Sequence, residues 1–111
     1  MEVRYAVVQP SRAEVDAVGG AQLLEFGTDW CGHCRAAQPL IQTALAAYPT
    51  LRRTKVEDGS GRPLGRSFGV TRWPTLIFLR DGLEVARLVR PADLAAVRHA
   101  AALADTAAQA E

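Results

Sequence analysis

The sequence predicts an α/β domain, and three observations carry that prediction. Strand-like and helix-like segments alternate along the chain. A compact apolar run, Leu23-Leu24-Glu25-Phe26, leads into a long helical pattern. Two cysteines, Cys31 and Cys34, fall at the junction between them. A chain of 111 residues holds one ordinary domain. Hydrophobic residues at 49% and charged residues at 23% exclude a disordered or collagen-like chain.

The elements follow in order. Val3 to Val8 is a short apolar run closed by Pro10, expected as an edge or flanking strand. Ser11 can cap a short helix through Val18, which Gly19-Gly20 ends. Leu23 to Phe26 reads as a central strand with one acid embedded in it. The helical pattern from Cys31 to Tyr48 places Ala37, Leu40, Ile41, Ala44, Leu45 and Tyr48 on one face, with Pro39 expected to kink it. Arg52 to Glu57 is a third strand, followed by the turn Asp58-Gly59-Ser60-Gly61 and a short helix from Pro63 to Phe68. Thr75 to Leu79 and Glu84 to Val89 flank Arg80-Asp81-Gly82, a hairpin signal. The last helix starts near Pro91-Ala92-Asp93 and should bury Leu94, Val97, Ala101 and Ala104. Residues 1–104 form the expected domain, and Asp105 to Glu111 an expected frayed tail.

Charge and hydropathy remove several function classes. Thirteen basic residues against 12 acidic ones give a net charge of +1, mixed along the chain. That balance offers no electrostatic case for nucleic acid or an anionic membrane. No apolar run approaches the roughly 20 residues that span a bilayer. The opening residues carry no signal-peptide apolar core, so a cytoplasmic location is expected. Lys55 is the only lysine and asparagine is absent, a bias that reads as genomic and that excludes N-glycosylation.

The chemistry concentrates in Trp30-Cys31-Gly32-His33-Cys34. Two cysteines at this spacing close a small disulfide when the first starts a helix and the second lies one turn in. Free N–H groups and the positive end of the helix dipole favour a thiolate at the first position. Cys31 is then the exposed nucleophile, and Cys34 the shielded thiol that attacks second. A zinc site needs four ligands; the chain offers two cysteines, His33 between them and a distant His99, so no metal is expected.

With Trp73-Pro74-Thr75 downstream, these residues resemble the thioredoxin superfamily over nearly the whole chain. The Gly-His dipeptide and the glutamate six residues before Cys31 resemble a catalytic domain of protein disulfide isomerase, whereas the single-domain length resembles a bacterial thioredoxin. The resemblance implies a thioredoxin fold, a central mixed sheet with helices on both faces. It makes Cys31 the nucleophile, Cys34 the resolving thiol, and Pro74 a cis-proline beside them. Trp73 would offer its backbone to a substrate strand.

Glu25 matches the family's buried acid. Burial in a central strand should raise its pKa and fit it to accept the Cys34 proton. The alternative is an acid that meets water or pairs with Arg53, which lies near the position where many thioredoxins carry a lysine. Two departures bear on substrate choice: Trp73 replaces the usual aliphatic residue, and Arg90-Pro91 stands where a glycine is common.

The expected function is therefore thiol–disulfide oxidoreduction on protein disulfides, with Cys31, Cys34 and Glu25 catalytic. Trp30, Gly32, His33, Trp73 and Pro74 are the candidate substrate-binding residues. No cofactor beyond the Cys31–Cys34 pair is implied. The implied partners are protein substrates and a thioredoxin reductase, and the chain is expected to act as a monomer. A non-enzymatic docking or chaperone module of the same fold is the alternative.

Overall fold

A computed structural model describes residues 4–106. Four strands form one mixed sheet: β1 (Ala21–Gly27), β2 (Arg52–Glu57), β3 (Thr75–Arg80) and β4 (Leu83–Val89), in the order β2-β1-β3-β4. β1 pairs parallel with β2 and antiparallel with β3, and β3 pairs antiparallel with β4. Four helices complete the fold: α1 (Arg12–Asp16), α2 (Gly32–Leu45), α3 (Pro63–Ser67) and α4 (Leu94–Thr106). None of the described helices is long and apolar enough to cross a membrane.

The alternation of side chains along a strand builds the two cores. Leu23, Leu76 and Phe78 face α2 and α4, meeting Ala37, Ile41, Val97 and Ala101. Leu24, Phe26, Ile77 and Leu79 face the other way, onto Val15, Leu64 and Phe68 beside α1 and α3. Helices therefore cover both faces, as expected. Glu25 shares the phase of Leu23, which turns its carboxylate toward α2.

Local signals account for most boundaries. Ser11 and Glu14 form a reciprocal capping box at the start of α1. The hairpin turn has Asp81 at φ 51° and Gly82 at φ 81°, the pair of positive values a two-residue type I′ turn requires. Asp81 also accepts the Gly20 N–H at 2.7 Å, tying the hairpin to the entry of β1.

Four expectations need correction. The first strand contracts to a single parallel bridge between Ala6 and Val56. Val7 and Val8 turn outward and are exposed, and Arg62 takes the Val7 carbonyl that a longer ladder would use; Val3 lies outside the described residues. α1 stops two residues short of Val18, at Asp16. α2 ends at Leu45, three residues short of Tyr48, after which a tight turn closes from the Tyr48 N–H to the Leu45 carbonyl. α4 continues through Asp105 to Thr106, where a frayed tail was expected to have begun; residues 107–111 lie outside the described residues.

Candidate active site

Cys31 is the N-cap of α2. Its extended backbone (φ −78°, ψ 123°) turns the sulfur back over the helix start, where it accepts the Cys34 N–H at 3.3 Å. That N–H is one of the amides a helix start leaves without an intrahelical partner. Cys34 lies one turn in and is completely buried; Cys31, expected to be exposed, is itself buried at 9% where Trp73 packs against it, and both thiols are free. Burial pushes the Cys34 thiol up to about 12, and its hydrogen bond with Cys31 adds to the rise. At neutral pH Cys34 therefore holds its proton and needs a base before it can attack.

Glu25 lies beneath Cys34 and is likewise fully buried. Its Oε1 accepts both Arg53 Nε at 3.0 Å and Arg53 Nη2 at 2.7 Å. Its Oε2 accepts the Tyr5 hydroxyl and the Gln38 amide, each at 2.7 Å. Glu25 is thus buried, as the first reading expects, and paired with Arg53, as the alternative expects. A buried carboxylate must fill its acceptor positions, and four donors do so here. Gln38 joins the site together: its amide also donates to the Cys34 carbonyl at 2.9 Å, and its oxygen accepts from Arg53 and from Lys55. The Lys55 ammonium also stands 4.5 Å from the centre of the Tyr5 ring.

On the outer side, Trp30 is 74% exposed and packs edge-on against Trp73, with ring centres 5.7 Å apart. The Trp73 indole N–H donates to Asp58 at 2.8 Å, and the Trp73–Pro74 bond is cis. Gly32 and His33 are exposed in the first turn of α2. His33 lines a shallow groove of about 370 Å³ with Ala37, Leu40, Arg90 and Pro91. Tyr5 and Gln38 tie Glu25 to the cysteine pair, and Trp73 packs against the buried cluster of Tyr5, Cys31 and Cys34, whereas Pro74 is buried. A Cβ at Gly32 would meet nothing within 4 Å, so no steric demand holds that glycine.

Sequence reasoning missed three residues. Gln38 carried a signal, being a polar residue four after Cys34 on a helix face that is otherwise apolar. Tyr5 carried none, because a chain separation of 20 residues from Glu25 is invisible locally. Arg90 was noted as a departure, but not its action: its Nε donates to the Trp73 carbonyl at 2.8 Å. Its backbone sits at φ 50°, in the left-handed region that favours glycine.

Comparison with known proteins follows the same lines. The Thioredoxin family model matches residues 7–105. A thioredoxin of Chlamydia muridarum is 39% identical over 71 residues, covering 63% of this chain and 69% of that protein. Protein disulfide-isomerase A2 of Pongo abelii is 46% identical over 66 residues, but the match covers 56% of this chain and only 13% of that much longer protein. Among solved structures, reduced thioredoxin 2 of Pseudomonas aeruginosa PAO1 superposes with a TM-score of 0.81 at 55% identity, covering 90% of this chain and 93% of that one.

Proposed function

This chain belongs to the thioredoxin family and is a thiol–disulfide oxidoreductase; we propose that it acts on the disulfides of proteins through Cys31 and Cys34. The observation that carries the reading is the asymmetry of the pair. Cys31 keeps 9% of its surface exposed where Trp73 packs against the pair, whereas Cys34 is fully buried and its carbonyl is tied through Gln38 to Glu25.

Cys31 attacks one sulfur of the substrate disulfide, forming a mixed disulfide and releasing the first substrate thiolate. Cys34 then gives up its proton and attacks the Cys31 sulfur. The Cys31–substrate bond breaks, the second substrate thiolate leaves, and the protein keeps two fewer electrons as a Cys31–Cys34 disulfide. Glu25 is the group that receives the Cys34 proton. Trp30 and Trp73 offer an apolar surface for a protein partner, while Gly32, His33 and Pro74 line the approach to Cys31. No cofactor enters this sequence of steps, and a thioredoxin reductase is the proposed donor that restores the dithiol. The Gly-His pair between the cysteines aligns the site with isomerase-type domains as much as with thioredoxins.

The test is substrate reduction combined with trapping. The wild type should reduce insulin disulfides catalytically. Cys31→Ser should abolish that activity, at least a thousandfold below wild type. Cys34→Ser should retain the first attack and accumulate protein-linked mixed disulfides. An absence of turnover in the wild type would leave the docking or chaperone reading in its place, and trapping by Cys31→Ser alone would reverse the two roles.

A further inference from the structure

The Cys34 thiol must pass a proton to Glu25, yet all four acceptor positions of that carboxylate are already filled. Two by Arg53, one by Gln38 and one by Tyr5 leave no direct seat for a sulfur proton. Of these donors Tyr5 also stands beside the Cys34 thiol. Its hydroxyl donates to Glu25 Oε2 at 2.7 Å, and its side chain packs in one buried cluster with Cys31 and Cys34. Tyr5 and Cys34 come together over Gly27. A Cβ there would overlap the Cys34 sulfur and stand 2.9 Å from the Tyr5 hydroxyl oxygen. A phenol that donates its proton to a carboxylate keeps lone pairs free to accept another.

We propose that Tyr5 is a catalytic residue of the resolving step, its hydroxyl relaying the Cys34 proton to Glu25. This rests on the proposed disulfide chemistry. As Cys34 turns toward the Cys31 sulfur, the S–H proton moves to the Tyr5 oxygen and the Tyr5 proton moves to Glu25 Oε2. Tyr5 ends neutral, so it never carries the phenolate charge that its burial disfavours. The Cys34–Cys31 bond forms, the Cys31–substrate bond breaks, and the electron pair leaves on the substrate sulfur. Afterwards the proton returns through Tyr5 to the open cleft that Tyr5, Cys34, Thr28 and Asp29 line.

The position of Tyr5 is built rather than incidental. Its N–H donates to Asp29 at 3.0 Å, and the adjoining Ala6 pairs in both directions with β2. The charged and titratable groups around the relay are Arg4 beside Tyr5, Asp29 from the loop before Cys31, Cys31 at the cap of α2, Cys34 and Arg35 from α2, and Arg53 and Lys55 from β2. Burial and the adjacent Glu25 charge push the Tyr5 hydroxyl far above its ordinary range, which keeps its proton available at every pH where the enzyme folds.

The experiment isolates the second step. Cys31 is loaded as a mixed disulfide with thionitrobenzoate, and its release by Cys34 is followed by absorbance in the full-length chain. Tyr5→Phe should slow release about tenfold at pH 7, less than the roughly hundredfold or more that a general acid–base group supplies, because water entering the cleft still carries the proton slowly. The deficit should close as rising pH lets hydroxide remove the Cys34 proton directly. Tyr5→Phe/Glu25→Gln should be no slower than Glu25→Gln alone, because both act on one path. Equal rates at pH 7, a deficit constant across pH, or independent slowing in the double variant would each overturn the relay. A proton inventory on the wild type needs no variant: two protons in flight give a curved plot, and a straight one overturns the proposal. The rate at which each variant acquires thionitrobenzoate reports the first attack, so failure of the disulfide reading appears there and is distinct from failure of the relay.

Discussion

Cys31 and Cys34 stand one helical turn apart, yet their surroundings have little in common. Cys31 lies just below an exposed rim of Trp30, Gly32 and His33, its sulfur held by a main-chain amide. Cys34 lies beside a polar cluster of Tyr5, Glu25, Gln38, Arg53 and Lys55, knit by side-chain hydrogen bonds and bordering one open cleft. The outer half relies on backbone geometry, which tolerates changes of side chain. The inner half relies on mutual satisfaction of buried polar groups, in which one deletion strands several partners.

The largest break in that comparison should come from Glu25→Ala. It removes the common acceptor of Arg53, Tyr5 and Gln38, and it leaves a guanidinium only 23% exposed without its counter-charge. Breaking a buried pair from one side costs about 3 kcal/mol at the lower end of the usual range, which suits a partly exposed arginine. Trp30→Ala, on the outer half, should stay within about 0.5 kcal/mol of wild type. Urea denaturation at pH 7 compares the two. A loss below about 1 kcal/mol for Glu25→Ala would mean the inner cluster is not cooperative.

Alkaline pH should separate the halves next. The folded Cys34 thiol titrates near about 12 against an ordinary 9. Below the ordinary value both folded and unfolded chains hold the proton, and stability does not change. Between the two values the unfolded chain has lost it and the folded chain has not, so stability falls as pH rises. By pH 10 the loss from this group is about 1 kcal/mol. The raised Tyr5 hydroxyl acts in the same direction. Denaturation midpoints from pH 8 to 11 should fall less steeply in Cys34→Ala; parallel curves would remove Cys34 as a cause.

The same division decided what could be read from the sequence. The outer site is local: Trp30 to Cys34 are contiguous, and a strand followed by a helix places them at the helix start. The central strand, the long helix and the hairpin carry their own periodicity and turn residues, and they appear within a few residues of expectation. The inner site is assembled from four segments. Glu25 and Arg53 could be weighed as a pair because Arg53 lies near the position where many thioredoxins carry a lysine; the strand register sets Arg53 opposite Leu23, two residues along β1 from Glu25. Tyr5 could not, since the segment that carries it pairs through one bridge and follows no strand rule. The first strand failed for that reason too: an apolar run predicts burial, and here Val7 and Val8 stay exposed.

Arg90 tests the outer half more gently. Its side chain occupies the Trp73 carbonyl, and its backbone lies in a region where a side chain costs about 1 kcal/mol. Arg90→Gly removes that strain and one exposed hydrogen bond, so stability should change by less than about 1 kcal/mol. The freed carbonyl becomes available to an extended substrate, and KM for insulin reduction should fall several-fold with kcat little changed. An unchanged or higher KM would show that Arg90 helps to hold the substrate instead of excluding it.

His33 acts on the redox potential alone, and there two contributions can be told apart. The imidazole is exposed and lines the groove beside Arg90 and Pro91, while the Cys31 sulfur takes its hydrogen bond from the Cys34 amide. The His33 main-chain N–H belongs to the first turn of α2, where free amides favour a negative sulfur. His33→Ala removes only the ring; His33→Pro removes the ring and the amide proton. Either loss weakens the thiolate and makes the dithiol more reducing. Thioredoxin and protein disulfide isomerase differ by about 90 mV, and a single amide or ring should supply about a third of that, roughly 30 mV or 1.4 kcal/mol for two electrons. A glutathione redox titration of wild type and both variants measures the shift. A wild-type potential above the roughly −270 mV of thioredoxin is expected. If His33→Ala matches wild type and His33→Pro is more reducing, the helix start carries the effect, and the outer half depends on backbone as the comparison holds. If His33→Ala accounts for the whole shift, the ring does reach the sulfur and the contrast between the two halves narrows. Equal potentials for all three would remove His33 from the control of the redox pair.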